Sequence, residues 1–500
     1  MLSAMRTSLL LATFLLWVIQ ASSQYNILNY GADKTGRTLS TAAINKAISE
    51  CNRNGGGRVV MPAGIYRSGT IIMKDKVELY LESGAVLKAS TDRKDFPRQP
   101  QPVYRSHKDK GGWFALIYAE GASQISITGL GTIDGSGAEQ KPDPNLFGGD
   151  LDGRPRNILF ISCQDIRVEG ITMLNSGMWN QHYLNCEDLI IDRVKVYNHS
   201  NRNNDAIDID GCRRVTLSNS IFDTDDDGIT LKSTGPAPAE DIVITNCIVS
   251  SFCNAIKAGT ESSGGFRNIT ISNCVIKPSR SRTRPVFNTP RIGITGISLE
   301  IVDGGKMEGV TISNINMEGT ECPLYIRLGN RARKYREDMP EPQMGTMKNI
   351  SISNIVAYNT GNFSSSITGV PGAYVENVQL SNIQFYHKGG LKPGDYLPTY
   401  QEVSEDEKGY PQPTVWGNLP SSFLFIRHVK NLQVNGYSFG SVQTDPRIPV
   451  IAVDVQMLQL RGGSYIGTEP NNRPFALLHQ VSHPVIEAPL NWKGKTVQID

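Results

Sequence analysis

Residues 187–196 read EDLIIDRVKV, 213–222 RRVTLSNSIF, 240–249 EDIVITNCIV and 267–276 RNITISNCVI. Each segment places two apolar residues at i and i+2, follows them with a small polar pair, and then returns to β-forming residues. This is strand periodicity, a bend, and a second strand. The pattern recurs in DIRVEGITM from Asp165, EGVTISNINM from Glu308, KNISISNIVA from Lys348 and ENVQLSNIQF from Glu376. QISITGLGTIDG, around Ile125, opens the series, and KNLQVNGYSF, around Leu432, extends it. The first apolar residues are Ile166, Leu189, Val215, Ile242, Ile269, Val310, Ile350 and Val378, at steps of 23, 26, 27, 27, 41, 40 and 28. One such unit cannot bury its inward side chains alone, so units of this length stack as coils of a parallel β-helix. The fold class expected is therefore all-β, a single-stranded parallel β-helix. The longer steps predict loop insertions on one side. A leucine-rich repeat is disfavoured because its leucine frame is absent, and separate domains are disfavoured because no linker interrupts the repeat. Cys247 and Cys274 hold the same place in successive units and are read as buried ladder thiols.

An open first coil would expose a sheet edge. TAAINKAISEC, residues 41–51, puts Ile44, Ala47, Ile48 and Cys51 on one helical face, and residues 52–57 stop the helix. It is the expected N-terminal cap. At the other end, residues 388–422 break the repeat with Pro, Gly and Tyr and read as the longest insertion, because strand-like units resume after it. The first 23 residues are different in kind. Arg6 is followed by an apolar run from Ser8 to Ile19 and by Ala21-Ser22-Ser23. This reads as a signal peptide cleaved before about Gln24, predicting a secreted or periplasmic protein with one β-helix domain over residues 24–500. No later stretch is long and apolar enough for a transmembrane helix.

The chain of 500 residues carries 50 Lys+Arg against 48 Asp+Glu, a net charge of +2, with no long basic run, so no nucleic-acid partner is expected. Its 39% hydrophobic content argues against disorder. Eight cysteines without a CxxC pair suggest neither a disulfide scaffold nor zinc. A monomer is expected.

The densest acidic region falls on two adjacent units, Asn203-Asn204-Asp205-Ala206-Ile207-Asp208 and Asp223-Thr224-Asp225-Asp226-Asp227-Gly228. Asp205 and Asp226 are 21 residues apart, slightly under one coil, so stacking would set them one above the other. Like charges this close raise one another's pKa, letting one carboxyl serve as acid and another as base, the division that glycoside hydrolysis requires. A solvated turn or a calcium site is the competing reading of the same cluster.

Here the sequence resembles glycoside hydrolase family 28, the polygalacturonase and rhamnogalacturonan hydrolase family of right-handed parallel β-helices. YNILNYGADKTG, GGGRVVMPAGIY, LYLESGAVLKAS, GLGTIDGSG and RPRNILFISCQDIRVEGITMLNSGMWNQH are similar to that family over residues 25 to 330, and the remainder more loosely. Asn203-Asn204-Asp205 matches its Asn-x-Asp motif, and Asp226-Asp227 its Asp-Asp motif. The resemblance implies that Asp226 is the general acid and that Asp205 and Asp227 hold and deprotonate water. It implies inverting hydrolysis of an acidic pectic glycan without metal or cofactor. Two motifs depart. The family's Gly-His-Gly falls at Cys253-Asn254-Ala255 and its Arg-Ile-Lys near Ser298-Leu299-Glu300, so the cations expected to grip a galacturonate carboxylate are absent there. Rhamnogalacturonan hydrolases also depart at these motifs.

Candidate substrate-binding residues are Asn203, Trp179, His182, Lys232, Asn254, Lys257, Glu261, Glu300, Arg327 and Arg331, the cations as replacement carboxylate holders. Glu300 is also a candidate partner for Arg327, and His182 for a packing role. Tyr410 and Trp416 in the insertion are candidates to rim the cleft and give an exo-type pocket. Two alternatives stand beside hydrolysis: a calcium-using polysaccharide lyase, with Asp223 to Asp227 as the oxygen-rich site, and a non-catalytic glycan-binding β-helix.

Overall fold

The computed structural model describes residues 24–99, 103, 105–106, 114–141, 153–281, 292–467 and 473–500. Residues 1–23, read above as a signal peptide, lie outside them. Among the described residues, 34 strands from Gln24–Asn26 to Val497–Ile499 join into one continuous sheet whose strand ladders are all parallel. The result is a right-handed parallel β-helix. Its register follows the sequence repeat. Ile125, Ile166, Leu189, Val215, Ile242, Ile269, Val310, Ile350, Val378, Leu432 and Leu458 are successive pairing partners, one per coil. All are buried in the interior cluster. Each full burial of such a side chain is worth roughly 1.5–3 kcal/mol.

The small polar pair is where each coil bends. Asn219, Asn246, Asn273, Asn314, Asn354 and Asn382 all have φ of 52–57°. Asparagine tolerates this left-handed region better than other side chains. Its amide also bonds along the stack. Asn246 Nδ2 donates to Asn219 Oδ1 at 3.3 Å, Asn314 to Asn273 and Asn354 to Asn314 at 3.0 Å, and Asn382 to Asn354 at 3.2 Å. The next coil uses Gly436, where a Cβ would lie 2.8 Å from Asn382 Oδ1. Cys247 and Cys274 are buried free thiols at equivalent positions. Cys163, Cys186 and Cys212 form a second such row, with Cys186 N donating to Cys212 Sγ at 3.3 Å.

The cap is the one α-helix among the described residues, Thr41–Arg53, two residues longer than its sequence pattern suggested. It buries Ala43, Ile44, Ala47, Ile48 and Cys51 over the first coil. The insertion spans residues 388–420, between strands Val375–His387 and Ser421–Ser441. It is not a free loop. Its Tyr400, Val403, Trp416 and Leu419 pack on Cys322, Tyr325, Phe425 and Ile451, on the outer face of the later coils.

Candidate active site

Asp205 and Asp227 stand two residues ahead of strands Ile207–Asp210 and Ile229–Ser233, where the backbone has not yet entered the ladder. Ala206 N donates to Asp227 O at 3.0 Å and Ile207 N to Gly228 O at 3.3 Å. This offset is 22 residues, not 21, so Asp227 rather than Asp226 is the stacking counterpart of Asp205. The bonds Asn180 N to Asp205 O (2.9 Å) and Gly228 N to Asn254 O (2.8 Å) continue the row. One rung position thus runs Trp179, Asp205, Asp227, Asn254, Thr295 and Cys322 along the outer face.

Adjacent residues of a regular strand face opposite ways. Asp226 and Asp227 escape that rule because they lie in a turn pinned by its carbonyl: Thr224 Oγ1 and Ser251 Oγ donate to Asp226 O at 2.9 and 2.6 Å. Asp205, Asp226 and Asp227 meet in a cavity of about 190 Å³ that Met178, Trp179, Asn203, Lys232, Glu261, Arg333 and Tyr410 complete.

Proton affinities divide within this cluster. Burial, then the charge of Asp227, pushes Asp226 up to about 6, against the pull of Lys257 and Lys232. Burial, then Asp208 and Asp226, holds Asp205 well above the carboxylate range. Burial works in the same sense on Asp227 but is overcome, and its pKa is lowered by Lys257, Lys232 and the Asn254 amide. The contacts agree: Asn254 Nδ2 donates to Asp227 Oδ1 at 2.6 Å and Lys257 Nζ to Asp227 Oδ2 at 3.2 Å. Beneath the cavity Asp208, 3.3 Å from Lys232 Nζ, is pushed up to about 7 by burial.

Several sequence candidates lie elsewhere. His182 is wholly buried behind the wall, with Nε2 3.1 Å from Asp210 and a pKa pushed down to about 4 by burial, so it is a packing histidine and not a sugar contact. Asn254 and Lys257 do not line the cavity; they sit behind Asp227 and hold it. Glu300 is buried off the cavity and accepts from Ser298 Oγ at 2.5 Å. Arg327, its register neighbour, instead donates to Thr368 Oγ1, Gly369 O and Asp406 O and lies over the Trp416 ring, anchoring the insertion. Arg331 is bound to Asp303, with Nε to Oδ1 at 2.9 Å. Trp416 is therefore an anchor and not a rim residue. Tyr410 does reach the cavity: its hydroxyl accepts from Thr260 Oγ1 at 3.2 Å and its ring faces Lys257 Nζ at 5.6 Å. Met178 and Arg333 escaped the sequence reading, and Asp208 was read as part of the acidic region but not as a site residue. Met178, beside Trp179, carried a positional signal; Arg333 carried none.

The acidic run 223–227 is not one oxygen cage. His199 takes Asp223 at 2.9 Å and Asp225 at 3.2 Å, away from Asp226 and Asp227. Among the described residues, the groups close enough to share an ion are Asp226, Asp227 and Cys253, within 4.8 Å. A thiol there is a poor calcium ligand, and with Asp223 and Asp225 turned to His199 the run 223–227 does not gather into one oxygen-rich site among the described residues.

The family model for glycosyl hydrolases family 28 matches residues 51–394, an interval containing every strand just described around the acids. The chain belongs to that family. This family 28 protein is a glycoside hydrolase. It is 26% identical to a probable polygalacturonase of Vitis vinifera over 72% of this chain and 74% of that one. Among solved structures, it is similar to the exopolygalacturonase of Thermotoga maritima (24% identity, TM-score 0.61, covering 73% of this chain and 87% of that one). It is also similar to the family 28 exopolygalacturonase of Yersinia enterocolitica (19% identity, TM-score 0.66, covering 93% and 78%). Both share the β-helix fold.

Proposed function

We propose that this family 28 enzyme is exported and cleaves a glycosidic bond of a pectic polysaccharide or oligosaccharide by single displacement, with inversion. The observation that carries the reading is the split within one cavity between Asp226, whose proton affinity is raised, and Asp227, whose affinity is lowered. Asp226 donates its proton to the departing glycosidic oxygen. Asp227, held ionised by Lys257 and Asn254, takes a proton from the attacking water on the opposite face. Asp205, biased toward its protonated form, positions that water; deprotonation falls to Asp227. Water and leaving group on opposite faces give a product of inverted anomeric configuration.

Tyr410, delivered by the insertion, walls one side of the cavity. A small walled cavity suits a chain end, so exo-type release of terminal sugars is the expected action. The polygalacturonase names of the relatives support a pectic substrate.

The test is digestion of a panel of pectic oligosaccharides with the product anomer followed by NMR in the first minutes. Inverted product without ultraviolet-absorbing unsaturated ends is expected. Retained configuration sinks the single displacement, unsaturated ends restore the lyase, and binding without cleavage favours a glycan-binding β-helix.

A further inference from the structure

We infer that His199 is a positioning residue for the proposed acid, bracing the turn of residues 223–227 from the preceding coil so that Asp226 faces the cavity. This rests on the hydrolase reading above and adds to it a residue that does not line the cavity. Asn198, Thr224 and Ser251 are successive pairing partners on three coils, and all are buried. Their side chains hold carbonyls of the acid-bearing turns. Asn198 Nδ2 donates to Asp205 O at 3.3 Å, Thr224 Oγ1 to Asp226 O and Asp227 O at 2.9 and 3.3 Å, and Ser251 Oγ to Asp226 O at 2.6 Å. These bonds fix where the backbone of each turn runs. They do not fix which way its carboxyl groups point.

That choice falls to the residue after Asn198. Asp225 N donates to Asn198 O at 3.1 Å, which sets Asp225 beside His199. His199 Nδ1 lies 3.2 Å from Asp225 Oδ1, and Nε2 lies 2.9 Å from Asp223 Oδ1. The rings of Tyr197 and Phe252, with centroids 4.8 and 5.6 Å away, confine the imidazole. Burial works against its charge, but the bonds to the two carboxylates overcome this and raise its proton affinity, so both nitrogens serve as donors. Asp223 has two further donors, Ser279 Oγ and, at 3.1 Å, Arg280 N. Among the described residues, the Asp225 carboxylate takes its hydrogen bond from His199 alone. Without the imidazole, two buried carboxylates face each other and Asp225 lacks a donor, which drives it toward water. Asp226 shares a peptide bond with Asp225, so a rotation of the one carries the other out of line with the departing oxygen. Misplacing a reacting group by about 1 Å costs on the order of a hundredfold in rate.

The test is steady-state kinetics of the full chain on the pectic oligosaccharide that it cleaves fastest. His199→Ala should lower kcat by about ten- to a hundredfold and leave KM within about twofold. In the Asp226→Asn background the same substitution should lower kcat by less than about twofold, because the group it positions is gone. Equal losses in the two backgrounds overturn the inference, as does a raised KM with kcat intact. His199→Gln, which keeps one donor, should recover about threefold or more over alanine. Where the alanine variant unfolds below the assay temperature, His199→Gln carries the comparison, and unfolding of both overturns the positioning role in favour of the fold alone. Full activity of His199→Ala beside an inactive Asp226→Asn overturns the inference and leaves hydrolysis standing. Normal turnover by Asp226→Asn, or no cleavage by the unmodified enzyme, defeats the hydrolase reading and the inference with it.

Discussion

The β-helix stacks residues in two contrasting rows. Inside, Ile125 through Leu458 place one aliphatic side chain above another in eleven successive partners. Outside, the row Trp179, Asp205, Asp227, Asn254 and Thr295 applies the same geometry to polar groups. Repetition is favourable in the first row because apolar contacts add, and the asparagine row at the bend gains a hydrogen bond at most steps. In the acidic row, repetition sets carboxylates against each other at the strand spacing of about 4.8 Å. The conflict is resolved by raising the proton affinity of Asp205 and bringing Lys257 and Lys232 to Asp227, while Asp226, which the turn sets beside the row, is raised as well. A periodic scaffold thus amplifies whatever it repeats: stability in one row, displaced proton affinity in the other.

Four experiments break or sharpen this contrast. The largest effect is expected from Asp226→Asn, which removes the proposed acid; kcat should fall by about 10²–10⁴, while the melting temperature at pH 7 holds or rises because a buried carboxyl has been removed. A collapse of the fold would show that the acidic cluster is structural. Next, Ile269→Ala in the inner row should cost roughly 2–5 kcal/mol of stability by denaturant unfolding and leave KM unaltered. A change in KM without a change in stability would reverse the roles of the rows.

The third experiment concerns pH. The proposed mechanism needs Asp226 protonated and Asp227 ionised, so the rate should decline on the alkaline side from about pH 6 and on the acid side only at low pH, since Asp227 is lowered. Lys257→Met withdraws the nearer cation from Asp227, raising that group's pKa and moving the acid limb upward by ~1 unit or more. A limb that stays in place would mean that Asn254 suffices. The smallest effect is expected from Asn314→Ala, which forfeits a left-handed residue suited to its φ of 57° and two ladder bonds. About 1 kcal/mol is expected, as a small fall in melting temperature with activity intact.

Much of this was legible in the chain. The spacing of Ile166, Leu189, Val215 and their successors matches the pairing register coil for coil, because interior burial admits no slip. The capping helix and the insertion were readable to within two residues. Asp205, Asp226 and Asp227 were marked by their motif spacing. The stacking partner of Asp205 was not: the offset depends on where the irregular turn after Asp223 ends, and the pinning of the Asp226 carbonyl by Thr224 and Ser251 sets that. His182, Glu300, Arg327 and Arg331 misled for a common reason. A polar residue near a motif can turn toward or away from the cleft, and one residue of shift reverses the choice. Arg333 lies outside any strand, where periodicity gives no position.

The sequence by itself determined the coil, its length, its core row and the identity of the three acids, because these depend on local periodicity and on burial repeated many times. The tertiary structure alone decided which acid has its proton affinity raised and which has it lowered, which cation stands against which carboxylate, and how Tyr410, 183 residues after Asp227, comes to wall the same cavity. Those properties arise from distances across coils and from packing of the insertion on Tyr325 and Phe425, which no stretch of contiguous residues encodes.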